Sequence, residues 1–244
     1  MKNDIGLLTP ERIEDAQNVV NWAKHTICSS HPDLGRAGPV CPFVPPSLKR
    51  NSFYLALHYE IDGQNKGEII SLIQSYIKSF RHYLSTGAKD ALYNTILVVF
   101  PNVLKENAPI VDQIAKELKT SVVQLGLMLG EFHPNSKIDS IRNPNFHPMV
   151  SPYPMLVIRN MAVHDILFLH QQQSWFEEYN KRFGEQYQRN RVSNEHGLVD
   201  LYYSSLKKFG RQVRLSSTQK HPSVTRLTSD PQKSSQSIAK RISK

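Results

Sequence analysis

Between His31 and Pro46 the chain reads HPDLGRAGPVCPFVPP, with prolines at 32, 39, 42, 45 and 46 and glycines at 35 and 38. Each proline removes an amide donor and restricts the residue before it, so neither a helix nor a central strand tolerates that density. The segment is expected to be a stiff, irregular loop. It also carries His31, Asp33, Arg36 and Cys41, which is more polar chemistry than a connector needs. The plainer alternative is a strap that lays Val40, Phe43 and Val44 over the core.

Regular structure is legible on both sides of it. Thr9-Pro10-Glu11 suits a helix start, because threonine can cap free amides and proline costs nothing at the first helical position. Ile13, Ala16, Val20, Ala23 and Ile27 then recur at steps of three and four as one apolar stripe, with Cys28 beside it as a buried structural thiol. Past the proline block, Phe53 to Ile61 alternates as a strand, 67–84 has helical spacing with Ile70, Ile73, Ile77, Phe80 and Leu84 inward, and 92–100 is an apolar strand stopped by Pro101. A helix after Pro109 turns Ile110, Ile114 and Leu118 inward, and strands follow at 125–133 and 153–159. A run as apolar as Ile96-Leu-Val-Val-Phe100 implies burial on both faces. The expected fold is α/β, a single domain of mostly β-α-β units with a mixed sheet of about four strands covered by helices.

A C-terminal helical segment completes this expectation. Ser174-Trp-Phe-Glu177 fits a capping box, Phe176, Tyr179, Phe183 and Tyr187 form an aromatic stripe, and a last helix is expected over 198–209. From Gly210 onward Ser, Thr, Gln, Lys and Pro dominate, and a disordered tail is expected over 210–244, leaving 1–209 as the globular domain. The net charge of +9 belongs to the end of the chain: from Lys207 onward there are ten basic residues and one acid, Asp230, while residues 1–206 carry 20 of each sign. Weak, salt-dependent contact of the tail with polyanions follows, and the globular part is electrostatically neutral. No membrane span or secretory signal is legible, and two cysteines without a metal spacing suggest a reduced, cytoplasmic chain.

The candidate site lies between Leu125 and Met161. Two strand-like runs bracket a loop of roughly eighteen residues that holds Arg142 and His147, a length that in an ordered domain is usually functional. Ligands of open α/β sheets bind at the carboxyl ends of strands, where Glu131, His133 and the Arg159 end of the fourth strand are expected to converge. Glu131 and His133 share a strand face and can act as an acid/base pair or an oriented metal ligand, and Arg159 can meet an anionic group. The plainer reading makes His133 a loop-bonding histidine and Arg159 a buried partner of Asp165 or Glu131. Glycine-rich phosphate loops, GxSxG, HExxH and paired CxxC motifs are absent, which weighs against nucleotide-driven and zinc chemistry.

Three blocks carry a resemblance: His31 to Leu48, Gly130-Glu-Phe-His-Pro134, and Ser151 to Met161. Together they resemble a bacterial domain-of-unknown-function family, number 6875, which implies no activity. More distantly, Cys41-Pro-Phe43, His133-Pro134 and Asn143 to His147 are similar to blocks of haem-dependent N-oxygenases of small metabolites. That likeness implies a haem near Cys41, His133 and His147, with His133 or His147 as axial ligand, and an oxidative reaction on a nitrogen-containing substrate. Without CxxCH any such haem is held non-covalently. Two expectations stand: a small-molecule enzyme of biosynthetic type with Glu131, His133 and Arg159 as its reacting groups, or a non-catalytic binding or scaffold protein with structural proline loops.

Overall fold

The computed structural model describes residues 9–87, 91–193 and 197–217, with side chains to 210. Four strands, β1 (Phe53–Leu57), β2 (Thr95–Val99), β3 (Leu127–Phe132) and β4 (Met155–Asn160), form one mixed sheet in the order β1-β2-β4-β3. β1 and β2 are parallel, while β4 runs antiparallel to both β2 and β3. The first three strands therefore point the same way. Helix α3 (Lys66–Ser85) carries the chain from β1 to β2, and α4 (Ile110–Gln124) carries it from β2 past the position of β4 to the edge.

Both crossover helices cover one face of the sheet. Ile69, Ile73, Ile77 and Phe80 of α3 and Val111, Ile114 and Leu118 of α4 pack with Val98, Leu156 and Ile158. On the opposite face Val19 of α1 (Pro10–Trp22) meets Leu97, Val99 and Met155. Covered on both sides, β2 loses all contact with water from Leu97 to Val99, which is why its sequence is uniformly apolar. A third cluster joins α5 (Ile166–Leu169), α6 (Gln173–Gln188) and α7 (Leu198–Ser217) around the stacked rings of Tyr187 and Tyr202. Phe176, Tyr179 and Tyr187 of the aromatic stripe are buried there, with the Tyr179 hydroxyl donating to the Val163 carbonyl at 2.6 Å.

The mixed sheet, its helical cover and the C-terminal helices agree with expectation; several local details do not. Val19, Ala23 and Ile27 form the buried stripe of α1, and Ile13 is left 42% exposed. The shift has a cause: the helix does not end regularly but widens into a π-turn over Ala23–Ile27, closed by Cys28 N–H donating to the Ala23 carbonyl at 2.9 Å. The proline block is not wholly irregular either. Pro32–Leu34 forms a 3-10 turn and Val44–Lys49 a short helix, α2, since prolines are tolerated in a first helical turn. The capping box at Ser174 does not form, because α6 begins one residue before it with Gln172 as an unbonded cap. Helix α7 continues through Gly210 to Ser217, into the segment expected to be disordered; the one glycine is outweighed by good helix formers around it. The remainder of the expected tail lies outside the described residues. Among those described, no helix is long and apolar enough to cross a membrane.

The Asp62-Gly63 turn that follows β1 needs its glycine. Gly63 has φ +83, and a Cβ there would lie 2.9 Å from Cγ1 of Val103, in the core. Gly63→Ala should therefore cost about 1–2 kcal/mol from the left-handed conformation, with the Val103 contact adding to it. A urea titration reads this directly; an unchanged midpoint would mean that the turn can re-form with negative φ.

Candidate functional site

The proline block and the long loop between β3 and β4 close over the sheet together. Asn143 Nδ2 donates to the Asp33 carbonyl at 2.9 Å, and the His31 and Phe146 rings stack with centroids 4.3 Å apart. On its other side the block is tied to the π-turn by Val40 N–H to the Ser29 carbonyl and Cys41 N–H to the Ile27 carbonyl, both at 3.0 Å. The result is a strap with two fixed ends. Beneath it lies a cavity of about 620 Å³. Its floor is the sheet face of Phe53, Leu97, Gly130 and Val157, its walls include Trp22, Phe132 and Cys41, and it continues past the free edge of β3 to Glu131 and Lys119. That size and that mainly apolar lining are those of small-molecule sites.

Arg159 is not at the edge where it was expected. In the β3-β4 pairing Arg159 is opposite Met128 and Glu131 is opposite Leu156, so the arginine lies toward the other end of the sheet from His133 and on the other face from Glu131. It still reaches the cavity, but its fork is used: Nη1 and Nη2 donate to the two Asp165 oxygens at 2.8 and 2.6 Å. Asp165 is 1% exposed and also accepts from the Ala162 amide at 2.7 Å. Burial works against the Arg159 charge, but the Asp165 carboxylate outweighs it and holds the pKa above its ordinary value. Phe43 of the strap lies 4.8 Å under the guanidinium and edge-on to His164. Arg159 is thus paired with Asp165, the plainer of its two readings, and the pair gives Phe43 of the strap a surface to lie on.

His133 is 1% exposed at the end of β3. The Asn135 amide donates to its Nδ1 at 3.3 Å, which fixes the proton on Nε2, and Nε2 donates to Asp112 Oδ2 at 3.0 Å. Its carboxylate partner is Asp112 of α4 and not Glu131. With Nδ1 accepting and Nε2 donating, no lone pair is left for a metal. His133→Ala should cost roughly 1–3 kcal/mol by stranding Asp112 and the Asn135 amide. Thermal melts of the variant check this, and an unchanged melting temperature would return His133 to the candidate ligands.

Glu131, on the cavity wall, titrates far from its ordinary range. Burial first, then the neighbouring Asp112 carboxylate, push its pKa up to about 7, against the pull of its backbone hydrogen bond and the Lys119 ammonium. Lys119 in turn is pulled down by burial, with Glu131 opposing. One face of Glu131 opens into the cavity, so it can exchange a proton there near neutral pH. Asp112 Oδ1 is buried without a hydrogen-bond partner, one more acceptor beside the same group.

The three residues expected to hold a haem are not brought to one place. Cys41 lines the cavity, whereas His133 and His147 line a separate, open depression with Asp112 and Asp139. His147 Nδ1 stands 3.3 Å from an Asp139 oxygen in a geometry that makes no hydrogen bond. Among the described residues no group of three or more His, Cys, Asp or Glu could hold a metal ion. This donor set does not fit an axially ligated haem. His31 accepts from the Asp33 amide through Nδ1 at 3.2 Å. Cys28 is half-buried, its thiol pushed up by burial and then by Cys41, as befits an inert thiol.

Asp112 and Lys119 were not singled out in the sequence, although a signal existed. Asp112, Ala115 and Lys119 recur at steps of three and four along α4, a stripe bordering the apolar one.

The chain belongs to the family described as Domain of unknown function (DUF6875), whose model matches residues 16–194. The match spans the strap, all four strands and the loop that clips the strap down. No curated protein and no solved structure matches the chain, so the likeness to haem N-oxygenases gains no support.

Proposed function

We propose that this protein is a small-molecule enzyme whose substrate enters the cavity under the proline strap, with Glu131 as the group that takes up or delivers a proton. The observation that supports this best is the placement of a half-buried carboxyl beside Asp112 and Lys119 on the wall of a cavity with an apolar floor. A structural loop gains nothing from keeping an acid there, whereas an acid/base group poised near 7 at an enclosed site is what proton transfer requires. A scaffold role for the proline loops accounts for Phe43 under Arg159 and leaves both the cavity and Glu131 without a purpose.

Incubation of a bacterial small-molecule extract with the full chain, followed by mass spectrometry, tests the reading. The wild type should deplete features that Glu131→Gln leaves intact yet still retains on ultrafiltration. Retention and depletion of nothing by either protein would favour the scaffold. The haem-dependent version is checked by the absorption spectrum as purified and after haemin addition. No Soret band is expected, since His133 has both ring nitrogens engaged; a Soret band lost in Cys41→Ala would reinstate it.

A further inference from the structure

Among the described residues, no carboxylate pairs with two of the guanidinium groups at this cavity. Arg36, on the strap, is half-buried and donates Nη1–H to the Ala37 carbonyl and Nη2–H to the Val40 carbonyl, both at 2.9 Å. Those bonds fix its plane and leave three of its five donors unused. Arg142, on the loop between β3 and β4, packs against the strap beside it: a Cβ on Gly35 would lie 3.1 Å from Cβ of Arg142. Gly35 has φ +72, so the chain turns there in the conformation that leaves most room for the arginine. The Arg36 charge registers its neighbour, since burial and then, against Cys41, the Arg142 guanidinium draw the Arg36 pKa down.

Three other arginines are held by acids. Arg159 has Asp165, Arg182 has Glu178 and Arg189 has Glu185. Among the described residues neither Arg36 nor Arg142 makes an ion pair. Of the acids on the cavity lining, Asp165 is held by Arg159, Asp139 stands 3.3 Å from His147, and Glu131 lies between Asp112 and Lys119. Two like charges held together on separate segments, one of them oriented by its own backbone, cost energy until an anion is placed between them. The apolar floor and walls beneath them fix the character of the rest of the ligand.

From this we infer that the cavity takes an amphipathic oxyanion, a small molecule whose carboxylate or phosphate is gripped by Arg36 and Arg142 at the mouth while its apolar body lies along Trp22, Leu97, Phe132 and Val157. The inference rests on the cavity being a ligand site, as proposed above, and adds the charge of the ligand. The two arginines come from the strap and from the loop that clips it down, so the anion also bridges the two segments that close the site.

A pair of fluorescent probes separates the two claims. Anilinonaphthalene sulfonate carries an oxyanion on an aromatic body; N-phenylnaphthylamine is its uncharged counterpart, and both brighten in apolar surroundings. With the full chain, both should bind and accept energy from Trp22, and Trp22→Phe should lower that transfer to the part that Trp175 supplies. Arg142 is exposed, so Arg142→Gln leaves the fold intact, and Arg36→Gln is checked by its melting temperature. Each substitution should weaken the sulfonate roughly tenfold while leaving the neutral probe unchanged. Equal effects on both probes, or none on the sulfonate, would overturn the oxyanion site and leave the cavity reading in place. Binding of neither probe would remove the cavity reading and this inference with it. If Arg36→Gln fails to fold, Arg142→Gln alone decides.

Discussion

Asp165→Ala should lower the stability of this protein by about 3–5 kcal/mol, the largest loss expected from any single polar substitution in it. The Arg159 guanidinium keeps only 18% of its side-chain surface and the Asp165 carboxylate 1%, so removing the acid leaves a charge inside the protein without a counter-ion. The Ala162 amide at the start of the turn before α5 loses its acceptor in the same step. Replacing both partners, Arg159→Met with Asp165→Leu, should cost much less, since two apolar side chains leave no buried charge behind. Denaturant titrations of the single and double variants read the difference. Equal and small losses in all of them would mean that the pair is exposed in solution. Because Phe43 lies against the guanidinium, the single variant should also release the strap, seen as faster proteolysis between His31 and Pro46.

The same residues show what the sequence carried and what it did not. Periodicity located every strand and the four long helices from α3 onward, because each is the direct imprint of a buried face: Leu97 to Val99 between two layers of helices, and Ile73, Ile77 and Phe80 on one side of α3. Strand order left no such imprint. Reading Arg159 as a neighbour of His133 assumed that β4 points the same way as β3; its antiparallel insertion between β2 and β3 sends the arginine to the opposite end of the sheet. That choice is made by long-range pairing, and no local pattern in Met155–Asn160 encodes it.

The site divides in the same way. The density of proline announced a rigid strap, and its polar residues hinted at more than packing, but whether it lay over the core or at a site could not be read from the strap alone. The structure shows that the alternatives were not exclusive: Phe43 packs under Arg159, while Arg36 and Cys41 face a cavity that the strap itself encloses. Glu131 and His133 share a face as alternation requires, yet they part company over Asp112, which takes the histidine and leaves the glutamate to the cavity. A helix residue some twenty positions upstream decides which of two adjacent polar groups is structural, a contact that depends on how α4 lies along β3.

Glu131→Gln should make the protein more stable above neutral pH. The carboxyl titrates at about 7 in the folded chain against 4.5 in the unfolded one, a rise that corresponds to roughly 3 kcal/mol, or about 2 kcal/mol after screening by solvent in the cavity. The sign follows from proton linkage. Below pH 4.5 the residue is protonated whether the chain is folded or not, and variant and wild type should be equally stable. Between 4.5 and 7 the unfolded wild type ionises while the folded form keeps its proton, so folding of the wild type weakens with rising pH and that of the variant does not. Above 7 the gap stays constant. Urea titrations of both proteins at pH 4, 6 and 8 trace the curve, and a gap that does not change with pH would show that Glu131 is not desolvated. If the carboxyl is also the proton-transferring group, turnover in the variant should fall by about 10²–10⁴-fold over the same range. A side chain that weakens the fold at working pH and is needed only for chemistry is the pattern of a functional site, where stability is given up for reactivity.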